Sequence, residues 1–417
     1  MKKVSIGYML KLNAYWIGLS FMWNSLHVTI LPAVLLKYVP ETQKNTWLGL
    51  LTFFGLIIAM LVQPISGAIS DTWHAKIGRR RPFMFLGTAG DLVFLLLMGF
   101  IGGLPALFVG YIGLQFSSNI AHGPTQGLLP DEVPADQLGM ASGIKTALDM
   151  FGIVISSLLM GFLISSTDPD PRLSVTVIIA LLVIFGSITL FFTHEKSLLD
   201  PAKNRIRLGE VIRNVFNFKI EGDKHYWQLI FSRFLYLVGI YGFQSFAQYF
   251  IRDKFSSQDP IVFTQFVMGS FVIVLIIFSL VAGKLSDRMG RKRLQIFSSF
   301  IGAFGAIILI FAKTPFQLIF FGSIMGVGLG IFLSTNWALA NEMAPAGETG
   351  KYIGLTNIAT AGSAAVARLE GPMIDGFNNA APGQWWGWTV LFLVSAILML
   401  ASAWALRRIP ESRTASN

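Results

Sequence analysis

What most constrains this chain is an apolar run about 20 residues long that recurs from one end of the sequence to the other. A helix needs about that many residues to cross the hydrocarbon core of a bilayer. The runs are continuous rather than alternating over about ten residues, so they do not describe barrel strands. Composition agrees: 53% of residues are hydrophobic and 13% charged, where a soluble domain carries about 25% charged residues. The chain is expected to be an all-α membrane protein that crosses the bilayer many times. In a soluble chain a net charge of +10 would suggest nucleic acid. Here the positive residues read as topology signals, and no nucleic-acid partner is expected. There is no cysteine, which excludes disulfides. The first run, from Leu12, carries Asn13, Asn24 and His27 and lacks a small-residue cleavage site. It reads as a first span rather than a cleaved signal.

Twelve spans are expected, at 11–36, 47–69, 83–103, 106–129, 139–165, 173–194, 225–251, 262–284, 294–312, 316–340, 350–375 and 386–406. Lys and Arg are concentrated on the side where a protein faces the cytoplasm. With both termini cytoplasmic, twenty-three of the 32 fall inside and six outside (Lys37, Lys44, Arg172, Arg252, Lys254, Lys313), with three inside spans. Both termini and the polar segment 195–224 are therefore expected in the cytoplasm.

The chain also repeats itself. Gly67-Ala-Ile-Ser-Asp71 leads to Gly78-Arg79-Arg80-Arg81-Pro82-Phe83 after span 2, and Gly283-Lys-Leu-Ser-Asp287 leads to Gly290-Arg291-Lys292-Arg293 after span 8. Spans 4 and 10 each end on acids, Asp131 with Glu132 and Glu342, followed by Pro and then Gly before the next span. The expected organisation is two pseudo-symmetric six-helix bundles, 1–194 and 225–417, joined by a cytoplasmic linker, 195–224. Parallel repeats of this kind are a transporter architecture.

These turns, twice per chain and each after the second span of a half, resemble the major facilitator superfamily over essentially the whole length. The Gly78-Arg79-Arg80-Arg81-Pro82-Phe83 ending with Ser70-Asp71 is similar to the sucrose-transporter-like branch, related to the glycoside–pentoside–hexuronide cation symporters. Arginine presents a planar fork suited to carboxylates. Arg79 or Arg81 is expected to hold Asp131 or Glu132, and Asp71 to cap the start of span 11, where the helix dipole favours an anion. Asp287, Arg291 and Glu342 would repeat the arrangement. The resemblance implies that such latches close the cytoplasmic side; the plainer alternative is that the arginines only anchor topology.

The resemblance implies a cavity lined by spans 1, 4, 7 and 10, and their polar residues do fall at helical spacing. Trp23, Asn24 and His27 lie on span 1, and Gln115, Asn119, His122 and Gln126 on span 4. Tyr241, Gln244 and Gln248 lie on span 7, and Asn336 and Trp337 on span 10. Amides donate and accept hydrogen bonds, and indoles offer apolar faces, as a polyhydroxylated solute requires. The same residues could merely bond helix to helix, and for Gly322, Gly326 and Gly330 close packing is the expected role. Charges within spans are costly and mark function: Asp91, Lys145, Asp149, Arg233, Arg368 and Glu370. Lys145 and Asp149, four apart, can pair on one face, either to neutralise each other or to couple protons. The resemblance implies acids within spans 2 and 4, and the bodies of those spans have none, so a sodium site of that branch is not expected.

No phosphate loop, metal-spaced cluster or catalytic constellation is present in the sequence. Neither an enzyme nor a cofactor is expected. The linker is too short for a nucleotide-binding domain. The expectation is a monomeric secondary transporter of the cell inner (plasma) membrane. It would take up a neutral polar solute, such as a sugar or glycoside, with protons. A carrier or exporter of another small metabolite or amphipath, and a non-transporting receptor or pigment-handling membrane protein on the same scaffold, are the alternatives.

Overall fold

The computed structural model describes residues 3–73, 75, 77–193, 195, 209, 224–256, 258–344 and 349–409. Among these every regular element is helical. In chain order they are α1 (Ile6–Leu35), α2 (Lys44–Thr72), α3 (Arg81–Ile101), α4 (Leu104–Glu132), α5 (Leu138–Leu163) and α6 (Arg172–Phe192). There follow α7 (Lys224–Lys254), α8 (Pro260–Met289), α9 (Arg291–Leu309), α10 (Pro315–Met343), α11 (Thr349–Arg368), α12 (Glu370–Ala380) and α13 (Trp386–Leu406). All but Glu195, Gly209 and Lys224 of the expected linker lie outside the described residues.

Among the described residues, ten helices are long and apolar enough to cross a membrane. Their outward faces carry large apolar side chains in the open, such as Phe162 at 85% and Phe316 at 75% exposure. An apolar surface of that extent belongs against lipid. Two expected spans stand outside the ten. Helix α4 is 29 residues long, but its amides and hydroxyls keep it less apolar. Span 11, expected as one helix over 350–375, is divided at Leu369 into α11 and α12. Pro372 has no N–H to offer the carbonyl of Arg368, four residues back, so the helix breaks there.

Prolines set other local features. Pro32 cannot donate to the carbonyl of Val28, and α1 widens into a π segment at Ser25–Ile30. Pro124 frees the carbonyl of Ile120 on α4, which instead accepts the Ser66 hydroxyl at 2.6 Å. Helix α8 starts on an Asp259 cap that accepts the Ile261 and Val262 N–H groups, and α10 starts on a Thr314–Gln317 capping box.

The chain divides into two units. Unit 1 is Met1–Tyr38 with Phe54–Lys219, and unit 2 is Val39–Phe53 with Ile220–Asn417. Within unit 2, Gly326 and Gly330 of α10 pack on the backbone of α8 at Phe271 and Leu275, where a Cβ would collide, whereas Gly322 has room. The interior of unit 2 includes Tyr226, Leu229, Leu339, Tyr352, Leu355 and Leu406, drawn from α7, α10, α11 and α13.

Candidate functional site

In unit 1 the polar faces of α1, α4 and α5 form a linked cluster. Trp23 stacks on His27 with ring centroids 5.2 Å apart. His27 Nε2 is 2.9 Å from the Tyr111 hydroxyl, and Gln115 Nε2 donates to that hydroxyl at 2.7 Å. Asn119 Nδ2 donates to the Gln115 carbonyl at 2.7 Å. Further along, His122 meets Trp16 edge-on at 5.0 Å, and Gln126 Nε2 lies 3.2 Å from His122 Nε2. Lys145 sits 3.7 Å over the same Trp16 ring and 3.0 Å from Asp149. The other oxygen of Asp149 accepts the Ser20 hydroxyl at 2.7 Å. Asn24 donates to Ser156 at 3.0 Å. Trp16, Tyr111 and Ser156 were not among the expected residues. Trp16 precedes Trp23, Asn24 and His27 at helical steps, and Tyr111 precedes Gln115 by four, so the periodicity that marks the stripe reaches them too.

Asp91 belongs to a different cluster. It is fully buried between α3 and α4, where one oxygen accepts the Ser117 hydroxyl at 2.5 Å and the other has no hydrogen-bond partner.

In unit 2, Arg233 of α7 is the centre of the polar interior. Its Nη1 donates to Asn336 Oδ1 at 2.5 Å and its Nε to Thr360 Oγ1 at 2.9 Å. Its guanidinium lies 4.9 Å over the Trp337 ring. Trp337, expected as a platform for solute, thus already covers a cation. Gln248 is buried, while Tyr241 and Gln244 are partly open. Glu370 begins α12 just after the helix break, is 8% exposed, and packs against Gly242 of α7. Its Oε2 has no hydrogen-bond partner. The break leaves the Arg368 carbonyl directed at Gly49.

On the basic turn of unit 1, Arg79 meets Asp131, a pairing within the expected set, and Arg80, which was not among the expected residues, shares the same carboxylate. Arg79 Nη2 is 2.5 Å from Asp131 Oδ1, and Arg80 Nε is 2.6 Å from Asp131 Oδ2. Arg80 also reaches Asp71 at 2.7 Å and the Ser70 hydroxyl at 2.9 Å. Its side chain is 7% exposed against 23% for Arg79. The guanidinium fits because it lies flat on Gly127 of α4, where any side chain would displace it. Arg81 points its guanidinium toward Thr193, and Glu132 accepts from Tyr8 at 3.2 Å. Glu195 accepts the backbone N–H groups of Arg80, at 2.9 Å, and Arg81, at 3.2 Å, as an anion at the start of α3. Burial pushes the Asp131 carboxyl up, but the hydrogen bonds and charges of Arg79 and Arg80 outweigh it and hold it below its ordinary value. The hydrogen bond to Asp131 raises Arg79 in turn.

In unit 2, Arg291 is 3.0 Å from Glu342 and also donates to the Ala338 carbonyl. Asp287 lies on α8 with its side chain outside the described residues, as does the 345–348 stretch before α11 that Asp71 was expected to cap. One charge cluster was not foreseen at all. Lys44, 2% exposed, is 2.5 Å from Asp253 and 2.6 Å from Glu41. Asp253 also accepts Trp388 Nε1 at 3.0 Å, and Glu41 meets Arg252 at 3.3 Å. Asp375 caps the start of α2 by accepting from Asn45 and from the Thr46 N–H and hydroxyl. Beside these residues lies a cavity of about 490 Å³ that also touches Asn378, Asn379 and Trp385.

Lipid-facing helices around buried polar clusters, with an acid–arginine closure on the basic turn of each unit, define a polytopic membrane carrier. The chain belongs to the Major Facilitator Superfamily, whose profile matches residues 6–368 and 229–417. It is a transporter and not an enzyme. Among curated relatives, it is 24% identical to the multidrug resistance protein MdtG of Citrobacter koseri over 99% of this chain and 98% of that one. To MdtG of Enterobacter lignolyticus it is 23% identical over 95% and 91%. Its fold resembles a D-xylose–proton symporter with a TM-score of 0.74 at 17% identity, covering 99% of this chain and 100% of that one. It also resembles the nucleoside transporter NupG, with a TM-score of 0.72 at 16% identity, covering 96% and 99%.

Proposed function

We propose that this protein is a proton-coupled secondary transporter that moves a small polar solute by alternating access. The observation that carries the reading is the Arg79–Arg80–Asp131–Asp71 cluster, with Arg291–Glu342 at the matching place in the repeat. Topology anchors need no paired acids, whereas a closure that must break and re-form does. In this reading twelve spans form two six-helix bundles, 1–194 and 225–417, with both termini and the 195–224 linker cytoplasmic. The protein sits as a monomer in the cell inner membrane. The α1–α4–α5 cluster in unit 1 and the Arg233–Asn336–Trp337 cluster in unit 2 each offer groups that can contact a solute. Lys145–Asp149 and Glu370 are the sites for coupling: each carboxyl is partly or wholly removed from water, and Glu370 keeps an oxygen without a partner.

The Arg-Arg-Arg-Pro-Phe ending and the amide-rich faces support a sugar or glycoside. A second reading, export of an amphipathic compound, is favoured by the whole-length similarity to proteins named for multidrug resistance. Proton uptake by proteoliposomes, measured over sugars, organic acids and hydrophobic cations, separates the two. Flux evoked by polar solutes supports the first reading, and flux evoked only by hydrophobic cations supports the second.

A further inference from the structure

Among the described residues, the other buried cations have anionic partners. Lys44 has Asp253 and Glu41, and Arg80 has Asp131 and Asp71. Arg233 differs. It is 2% exposed, and its hydrogen bonds go to an amide oxygen and a hydroxyl, with an indole over its face. The titratable groups that face it are the phenols of Tyr226 and Tyr241. Among the described residues no carboxylate forms an ion pair with it.

A second observation lies on the same spot. Asn336 is fully buried, and its Nδ2 has no hydrogen-bond partner. The Oδ1 atom must face Arg233, because a guanidinium can only donate, so the other end of the amide is necessarily a donor. An unmatched cation and an unmatched N–H donor therefore adjoin one another in the interior of unit 2. Leaving either in a low-dielectric interior is costly. A group that accepts hydrogen bonds and carries negative charge satisfies both at once.

We propose that Arg233 and Asn336 form the receiving site for a carboxylate on the transported solute. The proposal rests on the reading of the chain as a solute carrier and changes the expected solute from neutral to anionic. The carboxylate accepts from the Arg233 guanidinium and from Asn336 Nδ2, while Thr360 and Trp337 hold the guanidinium in place. A monocarboxylate that enters with one proton crosses without net charge.

The test is binding to the purified full-length chain in detergent, by calorimetry, with probe pairs that differ in charge: gluconate against glucitol, and benzoate against benzyl alcohol. At least one carboxylate is expected to bind at least tenfold more tightly than its neutral partner, and which pair responds identifies the body of the solute. Equal binding within both pairs overturns the proposal. Arg233→Gln should abolish the preference, but it could also disturb packing. Asn336→Asp keeps the proposal testable, since it places a carboxylate of the protein against Arg233. That variant should melt at a higher temperature than the parent and lose at least tenfold in carboxylate affinity. Undiminished carboxylate binding in Asn336→Asp overturns the proposal. Binding is read without transport, so a charge preference without solute flux would reject the carrier reading and leave this site standing.

Discussion

Arg80 Nε donates to Asp131 Oδ2 at 2.6 Å, and the same guanidinium holds Asp71 at 2.7 Å. One side chain thus joins the end of α2 to the end of α4 through two carboxylates. Removing one partner of a buried, hydrogen-bonded ion pair costs about 3–5 kcal/mol, whereas an exposed pair contributes about 0–1 kcal/mol. Arg80→Lys, which keeps the charge and loses the fork, should reduce solute flux more than tenfold. Arg79→Lys, at a more open position, should reduce it less than threefold. Initial rates in proteoliposomes check the order.

Gly127→Ala tests the same closure without altering a charge. A methyl group there meets the Arg80 guanidinium, so the arginine must leave its pocket. Flux should fall about as far as in Arg80→Lys, while Gly139→Ala, where a Cβ meets nothing within 4 Å, should behave as the parent.

The closure should not respond to pH in the physiological range. Arg79 and Arg80 hold the Asp131 carboxyl below its ordinary value against the opposing effect of burial. A depressed carboxyl contributes stability that is fully present above its unfolded value, about 4, and is lost as pH falls through the lower folded value. The melting-temperature difference between the parent and Asp131→Asn should therefore be flat from about pH 8 to pH 5 and shrink only below about pH 4. A difference that varies between pH 8 and pH 5 would assign the titration to another group.

Lys44 and Asp253 are nearly dry, so breaking the pair from one side should cost more than removing both charges. Lys44→Met should destabilise by about 3–5 kcal/mol, and Lys44→Met with Asp253→Asn should recover part of that loss. Denaturation in detergent of both variants and the Asp253→Asn single variant completes the cycle. Strict additivity would show that the pair is not coupled.

Much of the fold was legible because the bilayer imposes simple rules. Span length and the two basic turns are each local in sequence, and the helices follow them. Breaks were less legible: Pro372 alone does not say that span 11 divides at Leu369, since Pro64, Pro124 and Pro130 lie inside continuous helices. The polar stripes were readable from their period, but a period gives a face and not what lies across it. Trp337 shows this, for nothing near it in sequence says that Arg233, 104 positions earlier, lies under its ring. Arg80 was passed over because three consecutive arginines look alike until the turn directs one of them onto Gly127. Glu195 and Lys44 escaped because their partners are 115 and 209 positions away.

The account stands or falls on whether the polar cluster of unit 1 is reached from each side of the membrane in turn. The chain has no cysteine, so Gln126→Cys on the exposed edge of that cluster gives a unique reporter. Its reaction with a membrane-impermeant thiol reagent can be timed in right-side-out and inside-out vesicles, with and without solute. Alternating access predicts labelling from both sides, with solute raising the rate on one side as it lowers the rate on the other. Labelling from one side only, or rates on both sides that solute leaves unchanged, would contradict it.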